Sequence, residues 1–151
     1  GGHAIKNRGK ETYISRSIIT SMSSNDSRLI DLANGGLLTI ENSLLHQGPL
    51  SVNGQAIGYG LEGLKHEKNQ VSLTDNIVLL ERIKGNTLLV TGENFVKATM
   101  NNNIIIHKNS NEKDVRNRYF SSREEAGFPN FPKFPQIICQ WLTPCPLKVS
   151  P

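Results

Sequence analysis

Short runs of alternating apolar and polar residues recur along the first two thirds of the chain. One series repeats a pattern of about eight positions. It begins with a small or apolar residue, any residue and an apolar residue. Two polar or flexible residues, a Ser or Asn, and further residues that are usually apolar follow. Its copies begin at Thr12, Leu38, Val71 and Val96. Alternation over a few residues between Gly and Asn is typical of β-strands.

A second series of short apolar runs lies between these copies. Its members begin at Ala4, Leu29, Ala56 and Leu88. Two interleaved strand series with a shared period of roughly 25–30 residues predict one coil of a solenoid per period. The predicted fold class is therefore all-β, a parallel β-helix of about four rungs over residues 1–106, in which alternate side chains fill the interior.

One polar position recurs in the first series, at Ser17, Ser43, Asn76 and Asn101. Equivalent positions of a solenoid lie above one another at the spacing between strands, so these side chains could bond along the axis as an internal ladder. The alternative is that Asn is simply common at β-turns.

The composition argues against nucleic acid and a membrane span, and it favours a chain with many turns. Asn is frequent, with 16 residues beside 13 Gly, and both favour turns over helix interiors. Residues 1–106 carry 10 Lys and Arg against 9 Asp and Glu, which lacks the dense basic stripe of a nucleic-acid groove. No apolar run is long enough to span a membrane. We expect neither nucleic acid nor a membrane span.

Residues 107–151 differ in composition and contain six of the seven prolines. The repeated Phe-Pro pairs favour an extended segment whose Phe side chains lie across exposed rungs. We predict a Pro-rich capping tail, with a disordered or partner-binding segment as the alternative. Cys139 and Cys145 could close a small disulfide loop or be free thiols, and we predict no metal site and no cofactor.

Four phrases carry a family resemblance beyond periodicity. They are Gly2-His3-Ala4-Ile5-Lys6-Asn7-Arg8, Ile30-Asp31-Leu32-Ala33-Asn34-Gly35-Gly36, Gln47-Gly48-Pro49-Leu50-Ser51-Val52-Asn53 and Tyr59-Gly60-Leu61-Glu62-Gly63. With the strand pattern, residues 1–106 resemble the bacterial right-handed parallel β-helix repeat proteins of the pectate-lyase-like superfamily, in a subgroup mostly without assigned activity.

The resemblance implies a right-handed helix, a polysaccharide partner and an extracellular or periplasmic location. It also implies the C-terminal rungs of a longer helix. The chain begins without Met, and we expect it to be part of a longer chain.

A candidate site follows from strand alternation in the second series. Three apolar residues occupy matching places: Ile5, Ile30 and Ile57. If these face the interior, the next residues, Lys6, Asp31 and Gly58, face outward one above another. Lys6 and Asp31 would be solvent-facing neighbours, Gly58 would leave an open floor, and Glu62 would lie just beyond. The alternative is a solvated surface ion pair.

Roles for a sugar chain follow from this column. Asp31 or Glu62 would be the acid or base, Lys6 would neutralise a substrate carboxylate and Tyr59 would supply stacking area. His3 and Arg8 would contact substrate at the edge of the groove. The remaining histidines, His46, His66 and His107, share no metal-ligand spacing and are predicted to lie in loops.

The function predicted from these residues is a carbohydrate-directed module that binds, or also processes, a polysaccharide. The alternative is a non-catalytic structural or protein-interaction solenoid. Lyases of this superfamily typically hold calcium in an acidic cluster, and its hydrolases need closely paired Asp residues; neither pattern is evident here. The sequence leaves open whether the chain is a polysaccharide lyase, a glycoside hydrolase or no enzyme.

Overall fold

The computed structural model describes residues 1–95, 98–108 and 114–128. These residues form thirteen β-strands and contain no helix. The strands are β1 (Ile5–Asn7), β2 (Glu11–Ser15), β3 (Ile18–Thr20), β4 (Ile30–Leu32), β5 (Leu37–Glu41), β6 (Leu44–Gln47), β7 (Gln55–Tyr59), β8 (Gln70–Thr74), β9 (Ile77–Leu80), β10 (Thr87–Thr91), β11 (Ala98–Asn101), β12 (Ile104–His107) and β13 (Arg118–Phe120). The described residues contain no helix that could cross a membrane.

The strands pair in parallel within three sheets. The first sheet has the order β1-β4-β7-β10, the second β2-β5-β8-β11 and the third β3-β6-β9-β12-β13. The chain visits the three sheets in turn four times before β13 extends the third. This all-β arrangement is consistent with the predicted parallel solenoid. The two predicted strand series become three, because each copy of the first series contains a second-sheet strand, a corner and a third-sheet strand.

The predicted register of the first sheet is confirmed. The residues paired across its first three strands are Ile5, Ile30 and Ile57, and one place further Lys6, Asp31 and Gly58. In the second sheet Thr12, Leu38 and Val71 pair as predicted. The alignment of the fourth copy is wrong by two residues, since Val71 pairs with Ala98 and not with Val96.

A ladder of buried polar side chains follows the corner between the second and third sheets. The backbone N–H of Ser43 donates to Asn76 Oδ1, that of Asn76 to Asn103 Oδ1, and that of Asn103 to Asn117 Oδ1, each at 3.0 Å. The ladder is thus as predicted at Ser43 and Asn76, but its next member is Asn103. Asn101 was the wrong prediction, because it pairs with Thr74 on the second sheet.

The residue before each ladder position turns the corner in a left-handed conformation. Arg16, Asn42, Asp75 and Asn102 have φ between 44° and 56°. Asn and Asp adopt this conformation more readily than most other residues, which explains part of the Asn content. One corner geometry is therefore repeated along the stack.

The three sheets share one apolar cluster. Its buried residues come from all three, for example Ile57 of the first sheet, Ile40 of the second and Leu45 of the third. In each strand the residue between two interior positions faces outward. The outward residues of the first sheet are therefore held on a rigid, continuously packed surface.

The third sheet is also apolar on its outer face, where residues 121–128 cover it. Ala126 and Phe128 pack there against Leu44, Leu79 and Ile106. Phe128 opens the Phe-Pro repeats of the predicted capping tail. The tail residues beyond it, including Cys139 and Cys145, lie outside the described residues.

Candidate functional site

Five of the six residues predicted for the site come together on the outer face of the first sheet. Lys6 Nζ lies 3.1 Å from Asp31 Oδ2 and 3.7 Å from Glu62 Oε1. Arg8 donates to both carboxylate oxygens of Glu62, at 2.8 and 2.7 Å. His3 Nε2 lies 3.5 Å from Asp31 Oδ2. We call His3, Lys6, Arg8, Asp31 and Glu62 the first-sheet site.

Asp31 forms the floor of this site and is not solvent-facing as predicted. Only 5% of the residue is exposed. The predicted open floor at Gly58 is filled: a Cβ there would lie 3.0 Å from each of Arg28 Cδ, Asp31 Oδ1 and Leu61 Cδ1. Side chains from the segments that flank the strands fold over the column, so an outward position is covered.

Glu62 and Arg8 form the accessible part of the site. Their side chains are about half exposed, and Lys6 is 40% exposed. The hydrogen bonds from Arg8, followed by the nearby charge of Arg8 and Lys6, lower the pKa of Glu62. Glu62 is thus ionised at neutral pH, which suits a hydrogen-bond acceptor better than a general acid.

His3 is held by two neighbours. Its Nδ1 accepts the backbone N–H of Arg28 at 3.3 Å. In a neutral imidazole the proton is then on Nε2, which faces Asp31. Because its acceptor nitrogen is already used by the backbone, His3 is poorly placed to remove a proton from a substrate.

Tyr59 does not belong to the site, and the predicted stacking role is wrong. The residue is fully buried and its ring packs against Phe95, with the centroids 4.9 Å apart. Its hydroxyl donates to the carbonyl of Gly36, and burial raises its pKa. Strand alternation explains the error, since residue 59 must share the inward side with Ile57.

A second polar cluster, which the sequence did not reveal, lies on the outer face of the third sheet. Fully buried His46 is on strand β6 and not in a loop; Thr20 Oγ1 is 2.7 Å from its Nδ1, and Glu81 Oε2 is 3.0 Å from its Nε2. Arg123 binds the same carboxylate. The usable signal was the register, because Thr20 pairs with His46 as Ile18 pairs with Leu44.

The other two histidines also have defined positions. His107 is the last residue of β12, so its assignment to a loop is wrong. His66 does lie in the loop after β7, and its Nε2 donates to the carbonyl of Arg8 at 3.1 Å. This loop also carries Glu62 and thus connects the first-sheet site with the corner next to it.

An open cavity of about 410 Å³ lies at that corner. Its lining residues are Lys10, Glu11, Leu37, Lys65, His66, Glu67 and Lys68. Lys65 is held by its backbone, whose N–H donates to the carbonyl of Asn34. The strand residues in its lining, Glu11 and Leu37, belong to the second sheet, and the loop that carries Glu62 joins the cavity to the first-sheet site.

Within the described ranges, no group of three His, Cys, Asp or Glu side chains could hold a metal ion. The chain matches no protein-family model, no characterised protein and no solved structure. Its function must therefore be inferred from the geometry of the site.

Proposed function

We propose that the chain is a carbohydrate-binding module built on a right-handed parallel β-helix of the pectate-lyase-like type. Its ligand is a polysaccharide bound at the first-sheet site. An extracellular or periplasmic location is part of the proposal, because the polysaccharide ligand would lie at the cell envelope or outside the cell. The sequence resemblance and the parallel three-sheet fold support the architecture.

The observation that carries the proposal is the linked array of charges from Asp31 through Lys6 and Glu62 to Arg8. Sugar hydroxyls both donate and accept hydrogen bonds, so they are recognised by donors and acceptors that alternate on a rigid surface. The array offers both, and its members already orient one another at 3.7 Å or less. A bound hydroxyl therefore meets preorganised partners.

The charge balance favours a ligand without charge at this point. Lys6 was predicted to neutralise a substrate carboxylate, but two protein carboxylates already surround its ammonium group. A sugar carboxylate would compete with Asp31 and Glu62 for the same cation. A hydroxyl has no such competition.

The site supports binding better than cleavage. Bond cleavage by two carboxyl groups needs one of them protonated as an acid. Glu62 is ionised beside Arg8, and Asp31 is buried against Lys6. We therefore propose Asp31 and Glu62 as groups that orient the ligand and its cationic partners.

A glycan array with matched variants tests this function. Arg8→Ala should weaken binding to any retained glycan by about tenfold, because a charge-assisted hydrogen bond is lost. Arg116→Ala is the control: Arg116 is as exposed as Arg8 and pairs with Asp114 through the same kind of contact. Its binding should equal that of the wild type.

A silent array would contradict the proposal. So would equal losses in the two arginine variants, because they would indicate a general effect of charge. Silence would favour the structural or protein-interaction solenoid instead.

A further inference from the structure

The outer face of the second sheet has a central column of hydroxyl side chains. Its central column consists of Tyr13, Thr39, Ser72 and Thr99, paired across strands β2, β5, β8 and β11. The residues on either side of Thr39 and Ser72 are buried, so strand alternation directs these two hydroxyls outward. No charged side chain is part of the column.

Three hydroxyls of this column, those of Thr39, Ser72 and Thr99, are available to a ligand. In the described part of the chain, no hydrogen bond from protein reaches the side chains of Thr39, Ser72 or Thr99. Hydroxyls at the neighbouring corner behave differently, since Ser17 and Ser43 each donate to a backbone carbonyl. The column thus presents three hydroxyls about one strand spacing apart, roughly 4.8 Å.

Tyr13 adds an aromatic surface at one end of the column. The residue is 59% exposed, and its hydroxyl donates to the carboxylate of Glu41 on the next strand. The contact with Glu41 raises the pKa of Tyr13. A ring held at its far end loses less rotational freedom when a ligand stacks on it.

We propose that this face is a second saccharide-binding surface, with the ring of Tyr13 as the stacking platform and the Thr39, Ser72 and Thr99 hydroxyls as the polar track. The ligand is an extended, uncharged polysaccharide that runs across the strands. The strand spacing is close to the length of one pyranose unit, so successive sugars meet successive hydroxyls. Absence of charge in the column matches an uncharged chain.

Calorimetric titration with neutral β-1,4-linked hexasaccharides of glucose, mannose and xylose tests the surface. The titrations use Arg8→Ala as background, so that binding at the first-sheet site is weakened about tenfold. Binding should persist in this background, fall about tenfold on adding Tyr13→Ala, and fall less on adding Tyr13→Phe, which keeps the ring. Ser72→Arg should abolish it by covering the middle of the track.

Ser23→Arg is the matched control, because Ser23 is exposed in a turn outside the second sheet. It should bind like the background, and urea midpoints confirm that every variant is folded. Unchanged affinity in both Tyr13→Ala and Ser72→Arg overturns the proposed surface. A dimer that dissociates in Ser72→Arg also overturns it, because the face would then bind a second copy of the chain. Binding lost in Arg8→Ala alone overturns the surface but leaves the proposed function standing. If Arg8→Ala binds with wild-type affinity and the added Tyr13→Ala abolishes binding, the proposed function at the first-sheet site is overturned and the second surface stands.

Discussion

Asp31 is the residue on which the first-sheet site depends. Its carboxylate is buried, and Lys6 and His3 approach the same oxygen. A buried carboxylate needs such partners, because desolvation would otherwise favour its neutral form. Asp31 therefore holds the side chains of Lys6 and His3 in position, while the exposed Arg8 and Glu62 remain accessible to a ligand.

Asp31→Asn should lower the free energy of unfolding by about 1–2 kcal/mol, because Lys6 and His3 lose a charged acceptor. Urea denaturation measures the change. Glu93→Gln is the control, since Glu93 is exposed and should shift stability by less than about 0.5 kcal/mol. An Asp31 variant as stable as the control would show that the carboxylate is not needed for the fold.

Glu81 gives the stability a predictable dependence on pH. Burial by itself would raise its pKa, but hydrogen bonds from Arg123 and His46 outweigh this and lower the pKa to about 2, from 4.5. A lowered pKa in the folded state means a contribution that is complete above about pH 4.5 and is lost as the pH falls towards about 2. Its size is on the order of 3 kcal/mol.

Glu81→Gln should therefore be less stable than the wild type at neutral pH, and the difference should shrink as the pH approaches about 2. Urea midpoints across this range give the comparison. For Glu93→Gln the difference should stay near zero throughout. A wild-type to Glu81→Gln difference that is independent of pH would contradict the assigned ion pair.

The corner between the second and third sheets repeats the same backbone turn and the same hydrogen bond in successive strands. A residue with positive φ turns the chain, and the next side chain accepts a backbone N–H from the neighbouring turn. Asn76 also donates to the carbonyl of Ile40 at 2.8 Å. The ladder thus satisfies buried backbone groups that would otherwise be costly.

Asn76→Ala should cost about 2–4 kcal/mol of stability, because the N–H of Ser43 and the carbonyl of Ile40 lose their partner. Asn76→Ser should cost less, since the Ser43 hydroxyl accepts the N–H of Ser17 in the same way. Thermal and urea unfolding measure both. Asn101→Ala, half-exposed on the second sheet, should change stability by less than about 0.5 kcal/mol; a larger loss there than at Asn76 would restore the original alignment.

Strand alternation predicted the register where apolar residues were spaced without ambiguity. Lys6 and Asp31 pair as expected because Ile5 and Ile30 fix the inward side. The fourth copy failed because three consecutive Asn residues, 101–103, offer three alignments. The run Ile104–His107, which pairs with Ile77–Leu80, held the deciding signal.

Burial of the outward residues could not be predicted in the same way. It depends on which side chains of the flanking segments fold back, as Leu61 and Arg28 do over Gly58. Such contacts join residues far apart in sequence and leave no periodic signal. The sequence therefore predicted most of the residues that form the site but not how deeply Asp31 is buried.

For the whole molecule, the three outer faces have different characters. The first carries linked charges, and the second carries the hydroxyls of Thr39, Ser72 and Thr99. The third combines an apolar patch covered by residues 121–128 with the buried His46 cluster. Among the described residues, only the first face combines exposed cations with an exposed carboxylate around a buried anchor. This difference is the reason why we propose the main ligand site on the first sheet.

The most direct test is a titration of the ¹⁵N-labelled chain with a glycan retained on the array, followed through backbone amide signals. We expect the largest saturable shifts at Lys6, Arg8, Asp31, Gly58 and Glu62, and we expect Arg8→Ala to weaken the affinity read from them about tenfold. The opposite result is a set of shifts on the third sheet or at residues 114–128 with the first-sheet amides unmoved, which would contradict a ligand site on the first sheet.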